Sequence, residues 1–333
     1  MPESLILPSP VFRRCGCPAL LRRPLPVEAM NSHRPVLLEE ALAGLAAGRP
    51  CSRVRAFVDG TYGRGGHSAA ILETLRPGDV LHALDRDPAA CAHAFKAHAR
   101  RDGFRIHRRN FAELQAWAQE QALLGRIDGL LLDLGVSSPQ LDQAECGFSF
   151  AVDGPLDMRM DPDTGESAAQ WLARATQTEI AEVLWRYGEE RNSRRIARRI
   201  VESRVESPLT TTTQLAALIA AVPGPRSRKI HPATRSFQAI RIHINGELDA
   251  LERALAAVLE LLAPGGRLAV ISFHSLEDRV VKRYIREHST RVRDGEALTP
   301  LLRRIGRYFP DDAEVAANPR ARSAVLRVAE KVP

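Results

Sequence analysis

Short apolar runs at 56–58, 80–84, 104–106, 127–132 and 267–273 alternate with segments at 67–75, 88–100, 111–123 and 247–262 whose apolar residues recur at helical spacing. Strands alternating with helices in this way predict a parallel sheet covered by helices on both faces. Between the fourth and fifth strands the alternation stops for more than a hundred residues, which is too long for a loop. Within that gap Ser167 to Gln170, Thr176 to Glu179 and Thr211 to Gln214 each have capping-box spacing ahead of an apolar run. Trp171, Leu172, Ile180, Val183, Leu184 and Tyr187 then recur at helical period. The expected fold class is α/β, a doubly wound sheet with an inserted all-helical domain. The sheet domain is expected over 31–142 and 232–333, and the insertion over 143–231. An insertion that follows the carboxyl end of the fourth strand roofs the crevice where such sheets bind ligands. Ser275–Glu287 reads as a further helix, and 311–322 as a loop.

Residues 1–30 stand apart. Positions 1–29 carry six prolines and four arginines without a helical or strand period, which predicts a disordered extension and makes Met30 the expected start. The rest is ordinary for a soluble enzyme, with 44% hydrophobic and 26% charged residues in 333, enough for sizeable cores. No apolar run reaches the roughly 18 residues of a membrane span. Five cysteines, Cys15, Cys17, Cys51, Cys91 and Cys146, lie scattered without CxxC or Cys/His spacing, so neither a disulfide framework nor a metal site is expected. Reduced thiols in a cytoplasmic protein fit this usage.

A net charge of +7 favours a polyanionic partner, because each phosphate neutralised releases condensed counterions. Its distribution is more telling. From 226 to 243 stand Arg226, Arg228, Lys229, Arg235 and Arg241 with His231 and His243 and no acid, a candidate phosphate track. A second cluster, 186–204, carries seven arginines against three glutamates. There a solvated helix face and an RNA contact remain equal readings.

The candidate chemistry begins with the stretch from Phe57 to Ser68, a strand ending in Asp59 and then a turn with Gly60, Gly63, Gly65 and Gly66 that opens into a helix. Glycine is needed where backbone takes positive φ or approaches a ligand closely. About twenty residues on, a second strand ends in Asp85, where doubly wound sheets place the carboxylate that holds ribose hydroxyls. The glycine spacing does not match GxGxxG, and no GxxxxGK[ST] occurs. An adenosine-containing cofactor other than a dinucleotide is expected.

Longer motifs narrow this further. The segments Gly129–Asp142, Gly147–Phe150, Gly154–Asp161, His231–Arg235 and Ser272–Arg279, with Ser32–Leu38 at the start, closely resemble the ribosomal small-subunit (16S) RNA cytosine N4-methyltransferase family, RsmH or formerly MraW, in that family's order. The resemblance spans about Ser32 to Glu330. It implies a class I, Rossmann-like methyltransferase sheet closed by an antiparallel pair near 303–308 and 324–329, with the insertion recognising substrate. It implies S-adenosylmethionine as cofactor, the N4 amine of a decoding-region cytosine as acceptor, and 16S ribosomal RNA within the small subunit as partner. It also implies cofactor contacts from Gly65, Gly66, His67, Asp85, Phe111, Asp133 and Gln140.

Individual roles follow from position. Asp85 is expected to accept the ribose hydroxyls, His67 to face the methionine carboxylate and Phe111 to pack on adenine, while Asp59 orders the turn. Asp133, at the end of the fourth strand, is the candidate acceptor for the amine. In amino-methylating enzymes at large an Asp or Asn followed by two prolines and an aromatic stands there, whereas this chain has Asp133-Leu134-Gly135-Val136. That departure leaves Asp133 between amine activation and cofactor contact. His274 is a second candidate, for a proton relay, a phosphate contact or a local backbone bond, and Arg159 either pairs with the acids beside it or reaches RNA. An RNA-binding assembly factor without activity and a small-molecule methyltransferase are the competing functions. The intact acids and glycine turn weigh against the first, and the basic segment against the second.

Overall fold

The computed structural model describes residues 34–45, 53–224, 230–289 and 300–333. The expected disordered extension and start lie outside the described residues. Seven strands form one sheet: β1 (Ala56–Asp59), β2 (Val80–Asp85), β3 (Phe104–Arg108), β4 (Ile127–Asp133), β5 (Leu262–Ser272), β6 (Leu302–Tyr308) and β7 (Val325–Lys331). Their order is β3-β2-β1-β4-β5-β7-β6, with the first five parallel and β7 antiparallel to both neighbours. β5 starts earlier than the apolar run suggested. Leu262 pairs with Ile127, the chain bulges through Gly265 at φ +76°, and pairing resumes with Arg267 opposite Gly129.

Helices α1 (Leu38–Leu45), α2 (Gly66–Thr74), α3 (Pro88–His98), α4 (Leu114–Glu120) and α5 (Ser138–Asp142) accompany the first four strands. The short α1 and α5 had no apolar period long enough to announce them. Successive strand side chains point to opposite faces, so each buried strand feeds two cores. Val58, Leu130 and Leu132 face one core, while Phe57 and Leu131 face the other, which α1 closes with Ala41 and Leu45.

Between β4 and β5 come α6 (Ala168–Arg174), α7 (Gln177–Gly188), α8 (Ser193–Glu206), α9 (Thr212–Ala221), α10 (Thr234–Asn245) and α11 (Glu247–Leu261). Ser167, Thr176 and Thr211 all form the capping boxes their spacing announced. Trp171, Leu184, Ile196, Ile200, Leu215 and Ile219 then bury a third apolar cluster. α10 falls in the stretch assigned to the sheet domain, yet Phe237, Ala239 and Ile240 enter this third cluster. Its amphipathic pattern serves the helices beside it, and only α11 packs on the sheet, through Leu251, Leu255 and Val258.

After β5, α12 (Ser275–Ser289) covers the same face as α11. The expected loop at 311–322 is instead α13 (Asp312–Ala317), capped by the Asp311 side chain on Glu314 N–H, and a 3₁₀ turn over Pro319–Ser323. Asp at the N-cap and acids in the first turn are what such a short helix needs. Among the described residues no helix is long and apolar enough to cross a membrane.

The closing antiparallel pair is held by a buried ion pair. Arg267 Nε donates to Glu330 at 2.8 Å and Arg267 Nη1 to the Gly44 carbonyl at 3.1 Å, which ties β5 and β7 to α1. Arg303 of β6 also bonds Glu330. Removing one partner of such a pair strands a buried charge. Glu330→Ala is therefore expected to lower unfolding free energy by about 3 to 5 kcal/mol, read from urea denaturation. A loss under about 1 kcal/mol would show that Arg267 finds water or another acceptor.

Candidate active site

Three adjacent strands, β2, β1 and β4, end in the acids Asp85, Asp59 and Asp133 at one rim. Asp59 is 1% exposed. Its Oδ2 accepts the Ser68 hydroxyl at 2.6 Å and its Oδ1 the Thr61 N–H at 3.1 Å, so it organises the turn between β1 and α2. Burial raises its pKa, against the pull of these bonds and of His67.

The turn needs its glycine at Gly65, where φ is +74°. A Cβ there would stand 2.4 Å from the hydroxyl of Tyr62, which is itself buried and cannot yield. The chain then enters α2, whose first N–H groups have no partner within the helix and point to the rim.

Asp85 has each carboxylate oxygen on one backbone donor, Oδ2 on Gly63 N–H at 2.7 Å and Oδ1 on Asp87 N–H at 2.9 Å. Each oxygen keeps a lone pair for a further donor. Burial pushes its pKa up to about 6, beyond what the two backbone bonds recover.

Asp133 is held from two sides. Its N–H donates to Thr61 Oγ1 at 2.7 Å, and its Oδ2 lies 3.4 Å from His67 Nδ1. Its other oxygen, Oδ1, is sealed from solvent and has no hydrogen-bond partner among the described residues. A buried acceptor left open is costly, and this one points to a donor supplied from outside the chain. His67 is turned inward rather than toward the cleft: Nε2 lies 3.1 Å from the Val36 carbonyl. Burial depresses its pKa, but the bond and charge of Asp133, with Asp59 behind, outweigh this and raise it. With Nδ1 against Asp133 and Nε2 against the Val36 carbonyl, the His67 side chain is unavailable to a methionine carboxylate. What position 67 still offers is its N–H in the first turn of α2.

Two further expected residues join this rim. Phe111 opens the 3₁₀ turn after β3, half-buried, with its Cβ 3.5 Å from where a Cβ on Gly60 would stand. Gln140 caps α5 by accepting Ser137 N–H at 3.0 Å, and its Nε2 donates to Asp87 at 3.1 Å. Gly65, Gly66, Asp85, Phe111, Asp133 and Gln140 thus converge. Open lone pairs on Asp85, a Cβ-free turn at a helix start and the orphaned Asp133 oxygen fit an adenosine-bearing methyl donor.

Other expectations are redirected. Arg241, read as part of a phosphate track, is half-buried, with Nε and Nη2 on both oxygens of Glu247 at 2.8 and 2.9 Å. The physical reason is its place on the packed side of α10, where an unpaired guanidinium would be prohibitive. His274 sits over the turn after β5 with Nδ1 accepting Glu277 N–H at 3.4 Å. Its Nε2 is 3.2 Å from Glu277 Oε1 but off the line of a hydrogen bond. Both nitrogens thus face Glu277, and the ring holds the start of α12. Glu247, His274 and Glu277 bring ligand-type atoms within 4.8 Å of one another, but Arg241 already occupies Glu247. Arg159 pairs with Asp157 through Nε and Nη2 at 2.7 and 2.8 Å. Arg226, Arg228 and Lys229 lie outside the described residues. His231 and Arg235 remain exposed, lining a cavity of about 280 Å³ with Glu190, Arg191 and Asn192.

Residues without a sequence signal also build the site. Thr61 orients Asp133, and Asn245 joins Met158 and Met160 to α10 through its side chain. Arg86, just past Asp85, donates to the Asn245 carbonyl at 3.1 Å and so fastens the helical layer to the rim.

A parallel sheet closed by an antiparallel pair, with acids ending β1, β2 and β4 around a glycine turn, defines a class I methyltransferase. The profile of the MraW methylase family matches residues 30–332, and the chain belongs to that family. It is an enzyme, and its cofactor is S-adenosylmethionine. It is 57% identical over 310 residues to the ribosomal RNA small subunit methyltransferase H of Thioalkalivibrio sulfidiphilus, covering 90% of this chain and 98% of that one. The protein of the same name from Xanthomonas euvesicatoria pv. vesicatoria is 55% identical over 90% of this chain and 89% of its own, and that of Xylella fastidiosa 54% over 90% and 97%.

Gly65→Ala tests the turn. Left-handed backbone in a residue with a side chain costs about 1 to 3 kcal/mol, and the contact with Tyr62 adds to it. Thermal unfolding is expected to shift down accordingly, with cofactor affinity lost together with the turn. Unchanged stability and affinity would mean that the turn can be rebuilt without glycine.

Proposed function

We propose that the protein methylates the N4 amine of a cytosine in the decoding region of small-subunit 16S ribosomal RNA, in the cytoplasm. The observation that carries this reading is the orphaned Oδ1 of Asp133, a buried acceptor at the rim beside the glycine turn. The family and the names of the relatives support ribosomal RNA as the acceptor.

S-adenosylmethionine, when bound, supplies a methyl group made electrophilic by its sulfonium. The protein's own contribution is mostly geometric, since holding nucleophile and methyl carbon in line contributes roughly 7 to 11 kcal/mol. Asp85 accepts the two ribose hydroxyls on its open lone pairs. Gly65, Gly66 and the first N–H groups of α2 hold the methionine end, Phe111 packs on adenine, and Gln140 keeps the loop after β4 against Asp87. Cytosine's exocyclic nitrogen is a poor nucleophile because its lone pair is delocalised into the ring. Asp133 Oδ1 accepts one N–H and draws that pair back onto nitrogen, while His67 holds the other carboxylate oxygen and Thr61 fixes the Asp133 backbone. As the nitrogen gains the methyl group it sheds a proton to Asp133.

Transfer of labelled methyl to small subunits or to their naked RNA, followed by digestion to nucleosides, tests the assignment. N4-methylcytidine is the expected product, and no transfer to any RNA would leave an assembly factor or a small-molecule enzyme. In the same assay Asp133→Asn is expected to lower turnover about 10²-fold or more, the usual worth of a placed proton acceptor, with cofactor affinity changed only a few-fold. Collapse of affinity with normal turnover would make Asp133 a binding residue instead.

Asp85 gives a pH test. With its pKa pushed up to about 6, a proton fills one acceptor below that pH and the carboxylate is whole above it. Cofactor affinity measured by calorimetry is therefore expected to fall as pH drops from 7 to 5, and Asp85→Asn to flatten the profile. Asp85→Ala should cost more than tenfold, since charge-assisted bonds contribute roughly 1.5 to 3 kcal/mol. Wild-type affinity in that variant would remove Asp85 from the site.

A further inference from the structure

The mechanism uses nothing from the outer strand β6 or the helix beside it, yet both carry cations toward solvent. α12 buries Leu276, Val281, Tyr284 and Ile285 and turns Arg279, Lys282, Arg283 and Arg286 outward, positions three and four apart on one face. Arg283 pairs with Glu252 at 2.9 Å, and Arg279 lies 3.5 Å from Glu189 at the corner between α7 and α8. Lys282 has no such partner among the described residues. Glu287 is the exposed acid of that helix.

β6 adds to this face by an irregularity. Residues three apart in a regular strand point to opposite faces. Here the register slips between Arg304 and Gly306, so that Arg304 stands opposite Ala329 and Arg307 opposite Arg327. Ala329 belongs to the core beneath α12, and Arg327 bonds Asp278 of α12 at 2.7 and 3.0 Å. The bulge thus puts both Arg304 and Arg307 on the α12 side of an edge strand, exposed and without an acid among the described residues. α12 runs antiparallel to β6, since Asp278 is level with Arg307 while His288 accepts the N–H of Leu301. Lys282 therefore runs alongside the two arginines.

This row ends in exposed aromatic residues. Tyr308 is 37% and Phe309 54% exposed, and the Arg307 guanidinium lies 4.4 Å from the centre of the Phe309 ring. Through Ser272 opposite Val325 and Leu326 opposite Tyr308, that end shares the rim with Asp133, whose partner is Ile271. Three strand spacings separate them, about 15 Å. Cations in a row with an aromatic platform match single-stranded nucleic acid, which lays phosphates on the first and stacks bases on the second.

We propose that Lys282, Arg304 and Arg307 with Phe309 form a second RNA contact, on which single-stranded RNA flanking the methylated base is laid. This rests on the function proposed above. Arginines on a bulged edge strand also discourage pairing with another sheet edge, and the test separates that role from RNA contact.

The test measures binding of naked small-subunit ribosomal RNA, and of polyuridine, at several salt concentrations. For the full chain carrying Lys282→Ala, Arg304→Ala and Arg307→Ala, affinity is expected to fall tenfold or more. The slope of log affinity against log salt should flatten by about 2, at 0.7 to 0.9 per lost phosphate contact. Phe309→Ala alone should weaken binding about tenfold with the slope unchanged, because stacking releases no counterions. Cofactor affinity should stay at the wild-type value in both, which also certifies folding. In methyl transfer the loss should appear in KM for RNA more than in kcat. A wild-type slope and affinity in the triple variant would overturn the proposal and leave the arginines as guards of the edge. Loss of activity on assembled subunits alone, with naked RNA bound normally, would also overturn it, in favour of a ribosomal protein contact. Failure of the wild-type enzyme to methylate RNA would strike the function proposed above, whereas the slope measurement bears on this surface alone.

Discussion

The Asp59 carboxylate is the point from which the site is built. It is buried at the end of β1 and has two donors, one the N–H of Thr61 and the other the hydroxyl of Ser68. A buried carboxylate is costly unless its oxygens are bonded, so the turn must present those donors in that place. With Thr61 so fixed, its side chain receives the Asp133 N–H, and with the turn closed, Gly63 reaches Asp85. One desolvated group thereby sets the relative positions of three strand ends.

Helices above the rim are organised on a separate principle. Their apolar residues close around Trp171, Ile180, Leu184 and Phe237 without borrowing from either face of the sheet. They meet the sheet side through Val136 and Leu141 of the segment after β4, which pack on this cluster, and through polar contacts from Arg86 to the Asn245 carbonyl and from Arg108 to Asp161 and Asp163. Exposed ion pairs of this kind contribute little each, about 0 to 1 kcal/mol.

Charge is divided in a way that composition conceals. The crevice itself is acidic, with Asp59, Asp85 and Asp133 together, whereas cations without an acidic partner among the described residues stand on its margins. His67 engages only one oxygen of Asp133 and leaves the other open.

Much of this was legible along the chain. Capping boxes at Ser167, Thr176 and Thr211 are local contacts between residues three apart, so their spacing suffices to announce them. The glycine turn, Asp85 and Asp133 were legible because strand ends are marked by the change from apolar to acidic residues. What only the tertiary structure decided is where a side chain points once elements pack. Arg241 and Arg235 lie six apart in one basic stretch, yet one is half-buried against Glu247 and the other is exposed and lines a cavity. His67 and His274 look alike as candidate acids and bases, but each ring is claimed by a neighbour distant in sequence or hidden in a turn. The slip in β6 that aligns Arg304 with Arg307 exists only in the pairing with β7. Local spacing determines elements because their bonds are short-range. Burial, charge partnership and strand register depend on which elements meet, and that is a property of the whole fold.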